Sequence, residues 1–168
     1  IYAKEGIRTL RQILKRHFFK EQNCLQDVIF RDLIFIQEDF AYKEQILDQC
    51  VEAMAEKGLV QSEFLLSVYK REGMMPTFLK GGIAIPHGAG NLVTKPVICI
   101  TKLDKPIVWD GFNTVDLVCV LALNEKSTKY FEQFYQVISD EIMVSRIRSC
   151  HTPDEIYGIL CNYTKTVK

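Results

Sequence analysis

The stretch PVICITKLDKPIVWDGFNTVDLVCVLAL, residues 96–123, decides the fold, because it holds three short apolar runs divided by polar and turn-forming residues. PVICITKL, PIVW and TVDLVCVLAL have the pattern of strands whose two faces are both largely covered. A fourth apolar run, GGIAIP, precedes them at residues 81–86. Together these runs predict a sheet across the middle of the chain.

Upstream of these runs, the sequence predicts one strand and two helices. VIFRDLIFI, residues 28–36, is rich in β-branched and aromatic residues and predicts a first strand. A helix is predicted over residues 41–57, with Asp39 as its cap and Gly58 as its stop. Its apolar residues fall on one face: Ile46, Leu47, Cys50, Val51 and Met54. A second helix is predicted to begin at Ser62 and end near residues 71–73, with these residues facing inward: Leu65, Leu66, Val68 and Tyr69.

Helical spacing returns after the sheet runs. Apolar residues recur at this spacing from Tyr130 to Ile138 and again from Ile142 to Ile147. A last helix is predicted over residues 154–160, with Thr152 as its cap and Pro153 in its first turn. Helices before and after several strands predict a three-layer α/β/α sandwich, with a central mixed sheet and helices on both faces.

Composition narrows the class of protein. The 168 residues include 21 acids and 21 bases, so the neutral balance argues against direct nucleic-acid or membrane contact by this domain. No apolar run is long enough to span a bilayer. The six cysteines form no CxxC pair, which predicts no zinc or redox centre and favours the reducing cytoplasm as the compartment. No metal or cofactor is predicted.

The start of the chain differs in character from the remainder. Residues 3–20 carry apolar residues at helical spacing with basic residues between them, which predicts an amphipathic helix. We interpret residues 1–27 as a connector helix and linker, and residues 28–168 as the functional domain. The chain begins at Ile1 and not at methionine, so we expect upstream domains in the parent protein.

The stretch GGIAIPHGAG, residues 81–90, contains the main candidate for chemistry. Pro86 restricts Ile85 to an extended conformation and ends the strand, so His87 is expected at a strand end, where sites in α/β sheets commonly lie. Gly88 and Gly90 would allow unusual backbone angles and let amide groups approach an anion. Neutral imidazole is a competent nucleophile near pH 7. A solvated bystander histidine is the alternative reading.

At GIAIPHG the chain resembles the enzyme IIA domain of the fructose/mannitol type in the bacterial sugar phosphotransferase system. The similarity runs from about residue 28 to residue 160 and keeps the family's order of motifs. These motifs are YKEQILDQCVEAMAEKGLV, SEFLLSVYKREGMMPTFL, GGIAIPHG, KPVICITKLDKPIVWDGFNTVDLVCVLAL and SDEIMVSRIRSCHTPDEIYGIL.

The resemblance implies roles for particular residues and partners. It implies that His87 accepts a phosphoryl group on Nε2 from the phosphocarrier protein HPr and passes it to a cysteine of an enzyme IIB domain. Arg71 matches the family's arginine that contacts the phosphoryl oxygens; the alternative is a surface arginine at a helix end. Thr77 either donates a hydroxyl hydrogen bond or caps its loop, and Gly88 supports His87.

One departure from the family concerns a second active-site histidine that transport members commonly carry. Counting back from Ser139 and Asp140 places Ser127 at that position, where Ser127 or Lys126 would substitute only in part. An apolar collar for partner proteins is expected near Ile85, Pro86 and residues 74–78. Met74 and Met75 are either part of that surface or, as is commoner for loop methionines, tucked under the fold.

Three functions remain open from the sequence. The favoured one is the phosphoacceptor domain of a sugar-responsive transcriptional activator or antiterminator, because of the missing second histidine and the extra basic helix. The alternative is a phosphocarrier of fructose/mannitol-type sugar uptake. The third is a binding module that has lost phosphotransfer. In each case the domain would have no catalytic action on sugar itself, and the sequence does not identify the sugar.

Overall fold

The computed structural model describes residues 24–37 and 39–163, so the connector helix predicted for residues 3–20 lies outside the described residues. Within them the chain forms five strands: β1 (Ile34–Gln37), β2 (Phe78–Leu79), β3 (Ile83–Ala84), β4 (Val97–Val108) and β5 (Thr114–Ala122). It also forms five α-helices: α1 (Lys43–Glu56), α2 (Phe64–Met74), α3 (Thr128–Ile138), α4 (Glu141–Arg148) and α5 (Pro153–Cys161).

The strands form one mixed sheet in the order β1-β4-β5-β3-β2. β4 and β5 are antiparallel and lie at the centre, with Val97 opposite Ala122 and Val108 opposite Thr114. β1 runs parallel to β4, and β3 runs parallel to β5. β2 closes the far edge as the antiparallel partner of β3. The predicted mixed sheet is therefore confirmed.

Strand β5 shows why helices cover both faces of this sheet. Val118 and Val120 belong to a core shared with α1 and α2, whereas Cys119 and Leu121, which alternate with them, belong to a second core shared with α3, α4 and α5. Successive side chains of a strand point to opposite faces, so an unbroken apolar strand requires cover on both sides. The predicted three-layer α/β/α sandwich is confirmed.

The first predicted strand is only partly correct. Strand structure is confined to Ile34–Gln37, and Arg31–Leu33 forms a single 3₁₀ turn in which the Leu33 amide donates to the Phe30 carbonyl at 3.0 Å. The polar pair of Arg31 and Asp32 is exposed and interrupts the apolar run, and the chain turns there. Val28 still contacts the sheet, because its carbonyl accepts from the Ile98 amide at 2.9 Å.

Helix α1 has the predicted inward face but a different cap. All five residues assigned to that face are buried. The predicted cap at Asp39 is wrong: the helix begins at Lys43, and the Gln45 side chain accepts from the amides of Ala41 and Tyr42 at 2.9 and 3.0 Å. Gly58 ends the helix with a φ of 69°, a conformation that favours glycine.

Two further corrections concern α2 and β4. In α2 the buried side chains are Phe64, Val68 and Glu72, whereas Leu66, predicted to face inward, is 58% exposed. The runs PVICITKL and PIVW form the single strand β4 and not two strands. Pro106 is accommodated by a register shift between Lys102 and Ile107.

The predicted cap of helix α5 at Thr152 is confirmed, since its hydroxyl oxygen accepts from the Glu155 amide at 3.3 Å.

Candidate functional site

His87 lies just beyond β3, at the end of the sheet where β5 also ends. The Leu121 amide donates to the Pro86 carbonyl at 2.8 Å, and His87 forms an isolated parallel bridge with Leu121. The Ile85 amide donates to the Thr77 carbonyl at 3.0 Å. The chain therefore remains pinned to β5 after strand β3 has ended, and this fixes the position of the imidazole.

The backbone next to His87 determines which ring nitrogen carries the proton. Nδ1 lies 3.0 Å from the Ile85 carbonyl oxygen. A carbonyl oxygen can only accept a hydrogen bond, so in the neutral ring Nδ1 is the protonated nitrogen and donates. Nε2 then keeps its lone pair, which is the form needed for nucleophilic attack.

A pocket of about 340 Å³ lies against His87. Its wall is mostly apolar, and polar groups enter it from the loop after β5 and from the start of α3. The lining residues are Ile85, His87, Gly88, Leu121, Leu123, Asn124, Ser127, Thr128 and Phe131. Among the described residues that line it, His87 has the only ionisable side chain.

Gly88 packs the loop of residues 85–90, called the histidine loop below, against helix α2. A Cβ atom at this position would lie 2.4 Å from the Ser67 hydroxyl oxygen and 2.7 Å from Cε2 of Phe64. The Ser67 hydroxyl accepts from the Ala89 amide at 3.0 Å and donates to the Phe64 carbonyl at 2.7 Å. Gly88 is therefore needed for close packing; its φ is not positive, so unusual backbone angles are not the reason.

Gly90 makes the corresponding contact on the other side of the loop. A Cβ atom there would lie 3.1 Å from Cα of Asn124 and 3.2 Å from the Leu123 carbonyl oxygen. The predicted unusual angle is again absent, since Gly90 has no positive φ. The two glycines thus allow the loop to fit between α2 and the segment that leads into α3.

Ser127, assigned by resemblance to the position of a second histidine, does line the pocket of His87. Its side chain is buried, and its hydroxyl donates to Oδ1 of Asn124 at 2.9 Å and accepts from the Asn124 amide at 3.1 Å. The hydroxyl is therefore already engaged in capping the 3₁₀ turn Glu125–Ser127.

Arg71 and Thr77 are not among the residues that line this pocket. Arg71 lies in the last turn of α2, half-buried, and its Nη1 donates to the Met75 carbonyl at 2.8 Å. Thr77 is buried, and its hydroxyl donates to Oε2 of Glu72 at 2.5 Å. The Thr77 hydroxyl thus holds the loop after α2, which is the second of the two roles considered for it.

Glu72 organises a buried polar cluster that the sequence did not reveal. Its carboxylate accepts from the Thr77 amide, from the Thr77 hydroxyl and, at 2.7 Å, from Nε1 of Trp109. Lys43 lies 3.9 Å from the same carboxylate and 5.6 Å from the centre of the Trp109 ring. The only signal in the sequence was an acid at helical spacing from Val68, on the inward face of α2.

Met74, the last residue of α2, and Met75 are exposed, by 83% and 63% respectively. The expectation that they tuck under the fold is wrong, and they are available to a contact surface. Pro86, expected in the same collar, is buried and contributes little surface. Phe131, 37% exposed, adds an aromatic side chain to the rim of the pocket. It stacks on Tyr135, with the ring centroids 5.8 Å apart.

No cysteine is among the described residues that line the His87 pocket. Burial raises the pKa values of the Cys99 and Cys119 thiols, which keeps both protonated and unreactive. Among residues 24–37 and 39–163, no three His, Cys, Asp or Glu side chains are grouped so as to hold a metal ion. In the same part of the chain, none of the helices has the length and apolarity to cross a bilayer.

Residues 27–163 match the family model of the phosphoenolpyruvate-dependent sugar phosphotransferase system, EIIA 2. The match covers most of the chain, and the chain belongs to this family. The resemblance stated from the sequence is thereby confirmed.

Both transport proteins and regulators are among its relatives. The chain is 31% identical over 146 residues to the 2-O-alpha-mannosyl-D-glycerate-specific EIIABC component of the phosphotransferase system of Escherichia coli K12, covering 81% of this chain and 22% of that protein. It is 30% identical over 107 residues to the transcriptional regulator ManR of Bacillus subtilis. That match covers 64% of this chain and 16% of ManR. The chain thus spans less than a quarter of either relative.

Among solved structures, the fold is similar to enzyme IIAMTL of Escherichia coli in its complex with phosphorylated enzyme IIBMTL. The TM-score is 0.71 at 20% identity, covering 81% of this chain and all of that one. At this identity the likeness concerns the fold alone.

Proposed function

We propose that this domain accepts a phosphoryl group from HPr on Nε2 of His87, as the phosphorylated domain of a sugar-responsive transcriptional regulator. The observation that carries the proposal is the hydrogen bond from Nδ1 to the Ile85 carbonyl, which leaves Nε2 as the free nucleophile beside a pocket. Membership of the EIIA 2 family supports the same chemistry.

The same hydrogen bond also assists the transfer step. The Nε2 lone pair attacks phosphorus, a nitrogen–phosphorus bond forms, and the bond between phosphorus and the donor breaks. The ring then carries positive charge while Nδ1 keeps its proton, and the Ile85 carbonyl stabilises that charge. Because the carbonyl is already in place, little reorganisation is needed when the charge develops.

Arg71 is proposed to contact the phosphoryl oxygens. Its guanidinium offers five N–H donors, of which the bond to the Met75 carbonyl uses one. It lies on α2, the same helix that seats the histidine loop through Ser67. Gly88 supports the site by allowing that contact, whereas Thr77 acts at a distance by holding the loop after α2.

The regulatory role is supported by the relative ManR and by the engagement of Ser127 in a cap, at the position that the resemblance gives to the second histidine of transport members. The runner-up is a phosphocarrier of sugar uptake, supported by the similarity to an EIIABC component. In that role the group would pass to a cysteine of an enzyme IIB domain, the kind of partner present in the related complex. Cys50, Cys99, Cys119, Cys150 and Cys161 form no disulfide, which supports a cytoplasmic location.

The phosphotransfer proposal is tested by incubating the domain with phosphoenolpyruvate, enzyme I and HPr. We expect an acid-labile phosphate on the wild type and none on His87→Ala. His151→Ala is the matched control, since His151 is exposed in the turn before α5 and should leave the label intact. An unlabelled wild type, or a label that survives in His87→Ala, would contradict the proposal.

The same assay tests Arg71. Arg71→Ala should slow labelling while the melting temperature stays close to that of the wild type, because the side chain is half-buried and not part of the core. An unchanged rate would reject its role.

The two candidate functions are separated by the coding sequence that flanks this domain: an upstream helix-turn-helix identifies a regulator, and membrane spans identify a transport protein.

A further inference from the structure

The wall of the His87 pocket contains a few polar side chains, and most of their hydrogen-bonding groups are already engaged. The Ser127 hydroxyl both donates to and accepts from Asn124. The Thr128 hydroxyl donates to the Glu125 carbonyl at 3.3 Å. A phosphoryl group on Nε2 would bring nearly two negative charges, which need donors in this wall.

Asn124 is the side chain in that wall with donors still available. Its Oδ1 accepts from the Lys126 amide at 3.1 Å and from the Ser127 hydroxyl at 2.9 Å. The Lys126 amide can only donate, which assigns the oxygen to the cap and leaves Nδ2 as the other branch of the side chain. No described residue accepts a hydrogen bond from Nδ2.

The backbone places this amide beside the histidine loop. Gly90 approaches Asn124 so closely that a Cβ atom on Gly90 would lie 3.1 Å from Cα and 3.5 Å from Cβ of Asn124. Asn124 also lines the same pocket as His87. The side chain is therefore fixed at its oxygen, adjoins the loop that carries His87, and has two unused N–H donors.

We propose that Asn124 binds the phosphoryl group of phosphorylated His87 through Nδ2. Asn124 thereby takes over the donor role that the family resemblance gives to a second histidine, since the hydroxyl of Ser127 is consumed in holding Asn124. This inference rests on the proposed phosphorylation of His87. A neutral amide suits an otherwise uncharged pocket wall, because it supplies donors without the cost of desolvating a second ion.

Two substitutions separate the donor role from the capping role. Asn124→Ser removes the N–H donors, and Asn124→Asp replaces them with a carboxylate oxygen that only accepts. Asparagine, aspartate and serine are about equally good caps, so all three proteins should melt at similar temperatures. Asn113→Ser makes the same change in the turn between β4 and β5, away from His87, as the matched control.

The experiment uses phosphoramidate, a small phosphoryl donor, so that no protein partner is involved. Nε2 displaces ammonia from phosphorus, and ³¹P NMR follows the formation and hydrolysis of phosphohistidine. We expect formation to be slower by roughly tenfold or more in Asn124→Ser, as for a lost hydrogen bond to a charged group, and slower again in Asn124→Asp. Asn113→Ser should match the wild type.

The outcomes distinguish this inference from the function on which it rests. If the wild type is labelled on His87 and both Asn124 variants form and lose phosphohistidine at the wild-type rates, only the role of Asn124 is rejected. Slower labelling that is matched by a loss of folding would assign Asn124 to the cap alone and also reject the inference. If the wild type takes no label from phosphoramidate or HPr, both the inference and the proposed function fail.

Discussion

His87 is positioned by the backbone carbonyl of Ile85 on one side and, on the other, by Gly88, where neighbouring atoms leave no room for a side chain. The Ile85 carbonyl fixes the ring, and Gly88 fixes the loop against Phe64 and Ser67. Phe64 is fully buried, and side chains in a close-packed core can move only by displacing their neighbours. The position of this histidine therefore depends on a glycine that has no side-chain chemistry of its own.

Gly88→Ala is expected to displace the histidine loop from helix α2. The added methyl would lie 2.7 Å from Cε2 of Phe64, and overpacking of this kind costs about 1–3 kcal/mol. Urea unfolding should show that loss, and labelling of His87 should slow. Gly158→Ala is the matched control: it lies within α5 with no atom in the way, and alanine there should stabilise by about 0.5–1 kcal/mol. Equal stability of the two variants would refute the packing argument.

His87 could be recognised from the sequence because its signals are local: a strand-like run, a proline, small residues and a motif shared with a family. Asn124 and Glu72 could not be recognised in this way. Asn124 stands out only because the segment after β5 packs against Gly90. Glu72 stands out only because Thr77 and Trp109, from other elements, donate to its carboxylate. Such contacts join residues that are distant in sequence and leave no periodic trace.

Helix α5 begins with a complete capping box. The Thr152 hydroxyl oxygen accepts from the Glu155 amide, and Oε2 of Glu155 accepts from the amides of His151 and Thr152 at 2.7 and 3.0 Å. These bonds to the backbone amides, first His151 and then Thr152, lower the pKa of the Glu155 carboxyl below its ordinary 4.5.

A dependence of stability on pH follows from that cap. The carboxyl has a lower pKa in the folded chain, so the unfolded chain binds the proton first as pH falls. The advantage of wild type over Glu155→Gln should be fully present above pH 4.5 and disappear as pH falls through the lowered pKa. Chemical unfolding of both proteins between pH 3 and 7 measures it. A difference that persists at the acid end would contradict the role of the ionised carboxylate.

The start of α5 could be predicted because Thr152, Pro153 and Glu155 are adjacent in sequence. The first strand was predicted too long because its real limits depend on pairing with β4, which is distant in sequence. Val28 and Ile29 are buried as a strand's residues would be, yet the chain around them turns to fit beneath the helices. Burial alone does not define backbone conformation, and the deciding contacts with β4 are far away in sequence.

For the molecule as a whole, the Glu72 cluster connects parts of the chain that are otherwise separate. Lys43 begins α1, Glu72 lies in the last turn of α2, Thr77 precedes β2 and Trp109 follows β4. Glu72, Thr77 and Trp109 are each at most 5% exposed, so the donors of Thr77 and Trp109 that meet the carboxylate are shielded from water. Removing one acceptor there leaves buried donors without a partner, which costs about 1–3 kcal/mol for each group.

Glu72→Gln should therefore destabilise the domain by about 1–3 kcal/mol, because an amide puts N–H groups against the donors of Thr77 and Trp109. Trp109 is the single tryptophan of the chain, so its emission should also shift as the indole loses its partner. Glu52→Gln, on the exposed side of α1, is the control and should change neither quantity. Wild-type stability of Glu72→Gln would show that the carboxylate is not required.

The architecture was the most predictable level of all. Apolar runs without alternation required a sheet covered on both faces, and helical spacing before and after them supplied the two covering layers. The order of the strands was not predictable in this way, because the return of β3 to β5 depends on pairing across the chain.

The histidine loop touches both covering layers of the sheet. Gly88 rests on α2, which packs in one core, and Gly90 rests on Asn124, which leads into α3 in the other. The two cores have no buried side chain in common. The histidine loop, in contrast, meets one covering layer at Gly88 and the segment that leads into the other at Gly90, so a group added to the imidazole would adjoin both layers of helices.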